Sequence, residues 1–257
     1  MARPAEKVPE CCDPRSRALD EDESRTAALE LCNSRFGKLN AIERVQWSLE
    51  KLPGTHILSS SFGAQSAVAL HLLTREKPDI PVVLIDTGYL FPETYRFIDE
   101  LSDRLQLNLV VYRAPLSPAW QEARHGERWL DGPAGLDAYN NENKVEPMKR
   151  ALQELGAGTW FAGLRRTQAA TRARTPFLDR SGERWKVHPI ADWTDRDVHF
   201  YLKRNNLPYH PLWEKGYLSI GDVHTTKSIH EVDEVEQTRF FGARRECGLH
   251  EIDLARI

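Results

Sequence analysis

The chain has 257 residues, 28% of them charged, and a formal net charge of −3 at pH 7. This near-neutral balance gives no reason to expect binding to duplex nucleic acid, and no apolar run approaches the roughly 20 residues that cross a bilayer. Residues 1–10 lack the apolar core of a signal peptide, so we expect a cytoplasmic protein without membrane contact.

The composition of residues 1–40 predicts a polar N-terminal extension that docks loosely. They include the acidic run 20–23, although residues 26–32 have the pattern of a short helix. Cys11 and Cys12 are adjacent, but the chain holds no second pair to complete a four-cysteine metal site. We therefore expect no metal here and assign the extension no chemistry.

Strands and helices then alternate over residues 41–215, which we interpret as one α/β domain. The predicted strands are residues 56–58, 81–85, 107–112, 159–163 and 185–190, and the predicted helices are residues 41–52, 67–73, 92–105, 148–155 and a helix capped by Thr194. Alternation of this kind predicts a mainly parallel sheet flanked by helices. Residues 117–143 break the pattern, and their Gly, Pro, Asn and charged residues predict a long surface excursion.

The first predicted strand leads into small polar residues, and a helix follows them. The loop contains Ser59, Ser60, Ser61, Phe62, Gly63, Gln65 and Ser66. Backbone N–H groups and the helix dipole at such a junction favour an anion. No lysine is present, so the loop is not a Walker A loop, which requires Gly-Lys-Ser/Thr. A serine-rich turn that only caps the helix is the alternative interpretation.

Polar residues also follow two further predicted strands. Asp86, Thr87 and Gly88 end the second strand, where an acid and a hydroxyl suit the ribose or base of a nucleotide. An ordinary capping turn explains them equally well.

A basic group follows the fourth predicted strand. It contains Gly163, Arg165, Arg166 and Arg172, and guanidinium groups bind phosphate and sulfate in a bidentate manner. A solvated basic face is the alternative. Lys144 precedes a helix start and either meets an anion or lies on the surface.

The final segment, residues 216–257, contains an isolated thiol in charged surroundings. Arg244 and Arg245 precede Cys247, and His250 follows it. Positive neighbours favour the thiolate, which is the nucleophilic form of cysteine. An isolated cysteine is often a small buried apolar residue, but charged neighbours are not typical of a core. Cys247 is therefore our candidate nucleophile.

Taken in this order and spacing, these segments resemble the phosphoadenylyl-sulfate (PAPS) reductase family. The resemblance rests on residues 59–66, 85–95, 144–147, 160–166, 209–213, 221–222 and 246–250. It implies an adenine-nucleotide α-hydrolase-like (PP-loop) fold with a modified phosphate loop, a C-terminal catalytic segment and a homodimer.

The resemblance also implies a reaction. The enzyme would reduce 3′-phosphoadenylyl sulfate to sulfite and adenosine 3′,5′-bisphosphate in assimilatory sulfate reduction, with reduced thioredoxin or glutaredoxin as electron donor. Cys247 would become an S-sulfocysteine, and His250 would assist it. Lys144 and Arg239 would lie near the sulfo group with His250. The remaining substrate-binding candidates are the strand-end residues named above together with Arg244 and Arg245.

A related branch of the family reduces adenylyl sulfate and carries a four-iron, four-sulfur cluster. Its cysteine ligands correspond here to Tyr139, Asn140, Asp222 and Thr225, none of which is a thiol. The resemblance therefore implies the branch without a bound cofactor, whose substrate has the additional 3′-phosphate.

Two other classes of function remain as alternatives. Enzymes that cleave ATP on related folds carry a Ser-Gly-Gly-x-Asp-Ser loop whose acid helps to hold Mg²⁺, and Gln65 stands at that position here. A nucleotide sensor without activity would keep the loop, but it would have no need of Cys247.

Overall fold

The computed structural model of the chain describes residues 22–181 and 184–242. Its strands are β1 (Thr55–Ser59), β2 (Pro81–Ile85), β3 (Asn108–Tyr112), β4 (Ala157–Ala162), β5 (Leu178–Ser181) and β6 (Arg184–Val187). Its α-helices are α1 (Asp22–Phe36), α2 (Ala41–Lys51), α3 (Ala67–Glu76), α4 (Pro92–Leu105), α5 (Pro118–His125), α6 (Gly132–Asn140), α7 (Glu146–Glu154) and α8 (Asp195–Arg204). None of these helices combines the length and apolarity that a membrane span needs.

The strands form one sheet in the order β3-β2-β1-β4-β6-β5. All neighbouring pairs are parallel except β5 and β6, which are antiparallel. The chain moves outward from β1 to β3 and then returns to the other side of β1. This reversal lies between β1 and β4, and ligands of open parallel sheets bind outside the carboxyl ends of the strands at such a point.

Apolar side chains cover both faces of the sheet. On one face, Leu58 and Phe161 are fully buried in a core that includes residues of α2, α3, α4 and α8. On the other face, Ile57 and Trp160 pack with Met148 of α7. The prediction of a mainly parallel α/β sheet flanked by helices is therefore confirmed.

Several elements coincide with the sequence-based expectation because their end signals are strong. Strand β2 and helix α4 have the predicted bounds, and α4 has Pro92 in its first turn, where a missing N–H costs nothing. Thr194 caps α8, and its hydroxyl accepts a hydrogen bond from the backbone N–H of Asp197.

The expectation of a loosely docked extension is wrong for helix α1. The side chain of Asn33 accepts hydrogen bonds from the backbone N–H groups of Phe177 (2.8 Å) and Leu178 (3.0 Å) and donates to the Leu178 carbonyl (2.7 Å). Phe36 is 1% exposed in the main core. One amide side chain thus fixes the helix to β5, an edge strand that the sequence did not predict.

The expected surface excursion over residues 117–143 is also wrong, because this stretch contains α5 and α6. Trp129 and Tyr139 are buried within it. Pro133 stands in the first turn of α6, where proline favours a helix start. A Cβ at Gly135 would lie 2.3 Å from the Arg128 carbonyl oxygen, so this glycine permits close packing. Residues that resemble loop breakers therefore build a compact helical unit.

Candidate active site

Three of the predicted site segments lie at one edge of the sheet. Strands β2, β1 and β4 are neighbours and parallel, so the loops that leave their carboxyl ends meet there. These loops are residues 86–88, 59–66 and 163–166. The arrangement places the sequence-predicted anion loop next to both flanking groups.

Hydrogen bonds to both neighbouring strands hold the 59–66 loop. The Trp160 indole donates to Ser59 Oγ at 2.7 Å, and the backbone N–H of Ser60 donates to the Val83 carbonyl at 3.0 Å. Phe62 is fully buried with a φ of +49°, a region that bulky residues rarely adopt. The N–H of Phe62 donates to Ser60 Oγ at 3.1 Å. The loop is therefore fixed in a strained turn.

The start of α3 offers a polar position that no group of the described residues fills. Ser66 is the N-cap residue, yet its side chain makes no capping hydrogen bond, and its buried hydroxyl lacks a partner among the described residues. A Cβ at Gly163 would lie 2.9 Å from the Ala69 Cβ, so the end of β4 closes against this helix. A helix N-terminus with an unsatisfied hydroxyl suits an anion.

Asp86 orders its own turn rather than facing the crevice. Its Oδ1 accepts hydrogen bonds from the Gly88 N–H (2.9 Å) and the Tyr95 hydroxyl (2.8 Å), and its Oδ2 accepts from Arg113 Nε (2.8 Å). Burial and the bond to Asp86 raise the pKa of Tyr95. With both oxygens engaged, the carboxylate shapes the loop, and Gly88 adopts a φ of +77° beside it.

Thr87 and Lys144 meet at a buried carboxylate, Asp222. The Thr87 hydroxyl donates to Asp222 Oδ1 at 2.6 Å, and the Tyr139 hydroxyl donates to Oδ2 at 3.0 Å. Lys144 Nζ forms an ion pair with the same Oδ2 at 2.6 Å. Burial acts to raise the pKa of Asp222, but Lys144 and Thr87 outweigh it and hold this pKa below the usual value.

Aromatic rings surround this ion pair. Trp129 stacks on His224 with ring centroids 3.8 Å apart. The rings of Tyr89 and Trp129 meet edge to face, with their centroids 5.1 Å apart. Burial lowers the pKa of His224 to about 4, so its ring is neutral at neutral pH. Trp129 and Tyr139 come from the stretch that we expected on the surface, and no motif in the sequence indicated Trp129.

Arg165 joins two of the loops. It is 3% exposed, and its guanidinium donates to the Gln65 side-chain oxygen and lies 3.0 Å from Asp195 Oδ1. Gln65 of the 59–66 loop therefore binds the arginine. Within the described ranges, no group of three or more His, Cys, Asp or Glu side chains is placed to hold a metal ion.

Arg166 and Arg172 lie toward strand β6. Arg166 Nε donates to the Thr175 carbonyl at 2.8 Å, and Arg172 Nη1 donates to Gln168 Oε1 at 2.7 Å. Burial lowers the pKa of His188 to about 3, and the charges of Lys186 and both arginines add to this effect. The two arginines thus form a positive region beside the crevice rather than part of the 59–66 loop.

Arg239 and Lys144 approach the same aromatic ring. Arg239 Cζ lies 4.9 Å and Lys144 Nζ 5.2 Å from the centroid of the buried Phe240 ring. Arg239 Nη1 donates to Ser219 Oγ at 3.1 Å. The structure therefore brings together two of the predicted sulfo-group cations. The other C-terminal candidates, Arg244, Arg245, Cys247 and His250, lie outside the described residues.

Residues 210–223 cover the strand-end loops. The backbone N–H of Val223 donates to the Tyr89 carbonyl at 2.9 Å, and that of His210 donates to the Ala64 carbonyl at 3.1 Å. Ile220 packs against Ala64 in a small apolar cluster. The polypeptide that leads to Cys247 is thus already in contact with the crevice.

The positions that correspond to cluster ligands in the iron–sulfur branch also come together. Tyr139, Asn140, Asp222 and Thr225 are all buried, and the first and third are hydrogen-bonded. None is a cysteine. Among the described residues, the side chains of Asn140 and Thr225 make no hydrogen bond.

Comparison with known proteins agrees with this arrangement. The family model described as the phosphoadenosine phosphosulfate reductase domain matches residues 55–228. Two similar curated proteins are described as phosphoadenosine 5′-phosphosulfate reductase. The protein from Xanthomonas oryzae pv. oryzae (strain PXO99A) is 60% identical over 236 residues, or 92% of this chain and 95% of that protein. The protein from Alteromonas mediterranea is 60% identical over 237 residues, with the same shares covered.

Solved structures extend the comparison to the fold. A phosphoadenylyl-sulfate reductase from Candida auris, solved as a phosphate complex, has a TM-score of 0.69 and 28% identity and covers 78% of this chain and 97% of its own. An FMN adenylyltransferase from Candida glabrata has a TM-score of 0.55 and 18% identity and covers 86% of this chain and 84% of its own. At that identity only the fold is shared, and it is consistent with the expected PP-loop architecture.

Proposed function

Because the chain belongs to the phosphoadenosine phosphosulfate reductase family, we propose that it reduces 3′-phosphoadenylyl sulfate to sulfite and adenosine 3′,5′-bisphosphate. Reduced thioredoxin, or a glutaredoxin, supplies the two electrons, and the reaction serves assimilatory sulfate reduction. The observation that best supports the proposal is that the 59–66 and 86–88 loops lie side by side at one sheet edge, where Lys144 is joined through Asp222 to Thr87.

The chemistry proceeds in two steps in this proposal. The Cys247 thiolate attacks the sulfur of the substrate, the bond between that sulfur and the phosphate oxygen breaks, and adenosine 3′,5′-bisphosphate leaves. Cys247 then carries the sulfo group as S-sulfocysteine. One thiol of reduced thioredoxin attacks the sulfur atom of Cys247 and displaces sulfite, and the second thiol resolves the mixed disulfide. Cys247 returns to the thiolate, and thioredoxin becomes oxidised.

Both reactants are anionic, so the reaction needs positive charge at the sulfo group. Like charges in a site shielded from water repel strongly, and fixed cations offset this repulsion as the bond forms. In the proposal Lys144, Arg239 and His250 take this role. His250 lies in the region for which the structure gives no description, and its assignment rests on the resemblance.

The remaining predicted residues serve the nucleotide. The 59–66 loop receives phosphate at the start of α3, where the Ser66 hydroxyl has no partner among the described residues. We assign Thr87 and Gly88 to the adenosine, and Asp86 keeps their turn in place. Arg165, Arg166, Arg172, Arg244 and Arg245 are proposed for the phosphates. A homodimer, the absence of a bound cofactor and a cytoplasmic location remain part of the proposal.

Intact-mass measurement tests the first step. We expect the protein, mixed with 3′-phosphoadenylyl sulfate in the absence of reductant, to gain one sulfo group, which reduced thioredoxin then releases as sulfite. Cys247→Ser should lose the adduct and all turnover yet retain affinity for adenosine 3′,5′-bisphosphate. Lys149→Met, a surface substitution outside every motif, should behave like the unmodified chain.

Two results would contradict this proposal. Sulfite production by Cys247→Ser with thioredoxin would exclude the covalent step. Pyrophosphate release from ATP, without any adduct from the sulfated nucleotide, would instead indicate the ATP-cleaving class. Parallel assays with adenylyl sulfate measure how much of the rate depends on the 3′-phosphate.

A further inference from the structure

Asp222 is the buried acid at the centre of the site, and the reaction as proposed leaves it without a task. It is 1% exposed and lies on the segment that covers the strand ends. We infer that Asp222 is a positioning residue, which holds the Lys144 ammonium at the place where the sulfo group of the substrate binds. This inference rests on the proposed function and adds a role that acts through Lys144.

The carboxylate is fixed from two sides. Thr87, at the end of β2, donates to Oδ1 at 2.6 Å. Tyr139, at the end of α6, donates to Oδ2 at 3.0 Å. Rotation of the carboxylate would break one bond or the other, so its orientation is set before Lys144 contacts it. Hydrogen bonds to an ionised acceptor are among the stronger ones in proteins.

Lys144 needs such a partner because its own stem is flexible. Four rotatable bonds separate the ammonium from the backbone, and ordering them costs conformational entropy. Lys144 lies on a π-helical turn, Asn141–Val145, a form that is often found at functional sites. The ammonium forms the 2.6 Å ion pair with Asp222 and lies 5.3 Å from the centroid of the Tyr139 ring and 5.2 Å from that of Phe240. These contacts restrict it to one place.

The pair also explains how a positive charge persists in this enclosed place. Lys144 is 7% exposed, and an isolated ammonium at such a position would lose its hydration without compensation. The ionised Asp222 compensates for that loss until the anionic substrate arrives. The neutral ring of His224 and the hydroxyls of Tyr139 and Thr87 add no competing charge.

The experiment compares Asp222→Asn with a matched control. Asn keeps the size of the side chain and its capacity to accept one hydrogen bond, but it removes the charge. We expect kcat with 3′-phosphoadenylyl sulfate to fall by about 10- to 100-fold, because a displaced charge loses much of its effect on the transition state. The affinity for adenosine 3′,5′-bisphosphate, measured by calorimetry, should change by less than about threefold, and Asp222→Glu should recover part of kcat.

The control is Asp192→Asn, because Asp192 pairs with the buried Arg44 at 2.6 Å in the same way, although its carboxylate is 40% exposed. This variant should lower the thermal midpoint without changing kcat. A second test combines Asp222→Asn with Lys144→Met. If Asp222 acts through Lys144, the double variant should be no slower than Lys144→Met alone, because the two changes remove the same interaction.

An unchanged kcat in Asp222→Asn would overturn the inference. So would a loss of nucleotide affinity in this variant as large as its loss of kcat. A double variant whose fold-loss in kcat equals the product of the two single losses would also overturn it. Should Asp222→Asn fail to fold, Tyr139→Phe decides, since it removes one hydroxyl donor to Asp222. A lowered kcat at unchanged nucleotide affinity supports the role, and an unchanged kcat excludes it. Failure of the proposed function would be separate, because the unmodified chain would then release no sulfite.

Discussion

Two buried cations flank the crevice, and they have very different partners. Arg165 pairs with Asp195, whose side chain is 75% exposed, whereas Lys144 pairs with Asp222, whose side chain is 1% exposed. Water screens the first pair but hardly reaches the second. The comparison indicates that the arginine holds its place mainly through the loops it joins, while the lysine depends on one carboxylate.

The largest effect is expected for Lys144→Met. This change removes the enclosed charge that we propose for the sulfo group, and it should lower kcat/KM for 3′-phosphoadenylyl sulfate by more than about 100-fold. Steady-state sulfite release measures it. Lys149→Met is the control, because Lys149 forms a 3.3 Å surface pair with Glu146 on α7. Equal losses in both variants would remove the distinction between an enclosed and an exposed cation.

An intermediate effect is expected for Arg165→Met. Its guanidinium contacts Gln65 in the 59–66 loop, so its loss should weaken binding of adenosine 3′,5′-bisphosphate by about 10- to 50-fold, as for charge-assisted hydrogen bonds. Titration calorimetry gives this value, with the exposed Arg96→Met as control. A fall in kcat with unaltered nucleotide affinity would instead assign Arg165 to the sulfo group, the role that we propose for Lys144.

The smallest effect is expected for Asp195→Asn. Exposed ion pairs contribute little, so kcat/KM should change by less than about fivefold, and the difference should shrink further at high salt. The same rate measurement at two ionic strengths tests this. A loss as large as that of Asp222→Asn would mean that exposure does not separate the two pairs.

The sheet and its strand-end loops could be predicted because each depends on local signals. Strand β2 and helix α4 have clear apolar patterns and end signals, and a parallel sheet places the 59–66 and 163–166 loops at the same edge. The contact between Lys144 and Asp222 could not be predicted from such signals, since the two residues are 78 positions apart in the chain and tertiary packing alone joins them. The burial of Trp129 was missed because the Gly and Pro residues of 117–143 resemble those of a loop. In the structure, Pro133 stands at a helix start and Gly135 permits close packing.

Gly221 leaves room for the guanidinium of Arg239. A Cβ at this position would lie 2.5 Å from Arg239 Nη2 and 2.8 Å from its Cζ. The guanidinium therefore rests against bare main chain, in a space that a single methyl group would fill. A residue without charge or side chain thus decides where a positive charge is located, and the smallest possible addition to the backbone would move that charge.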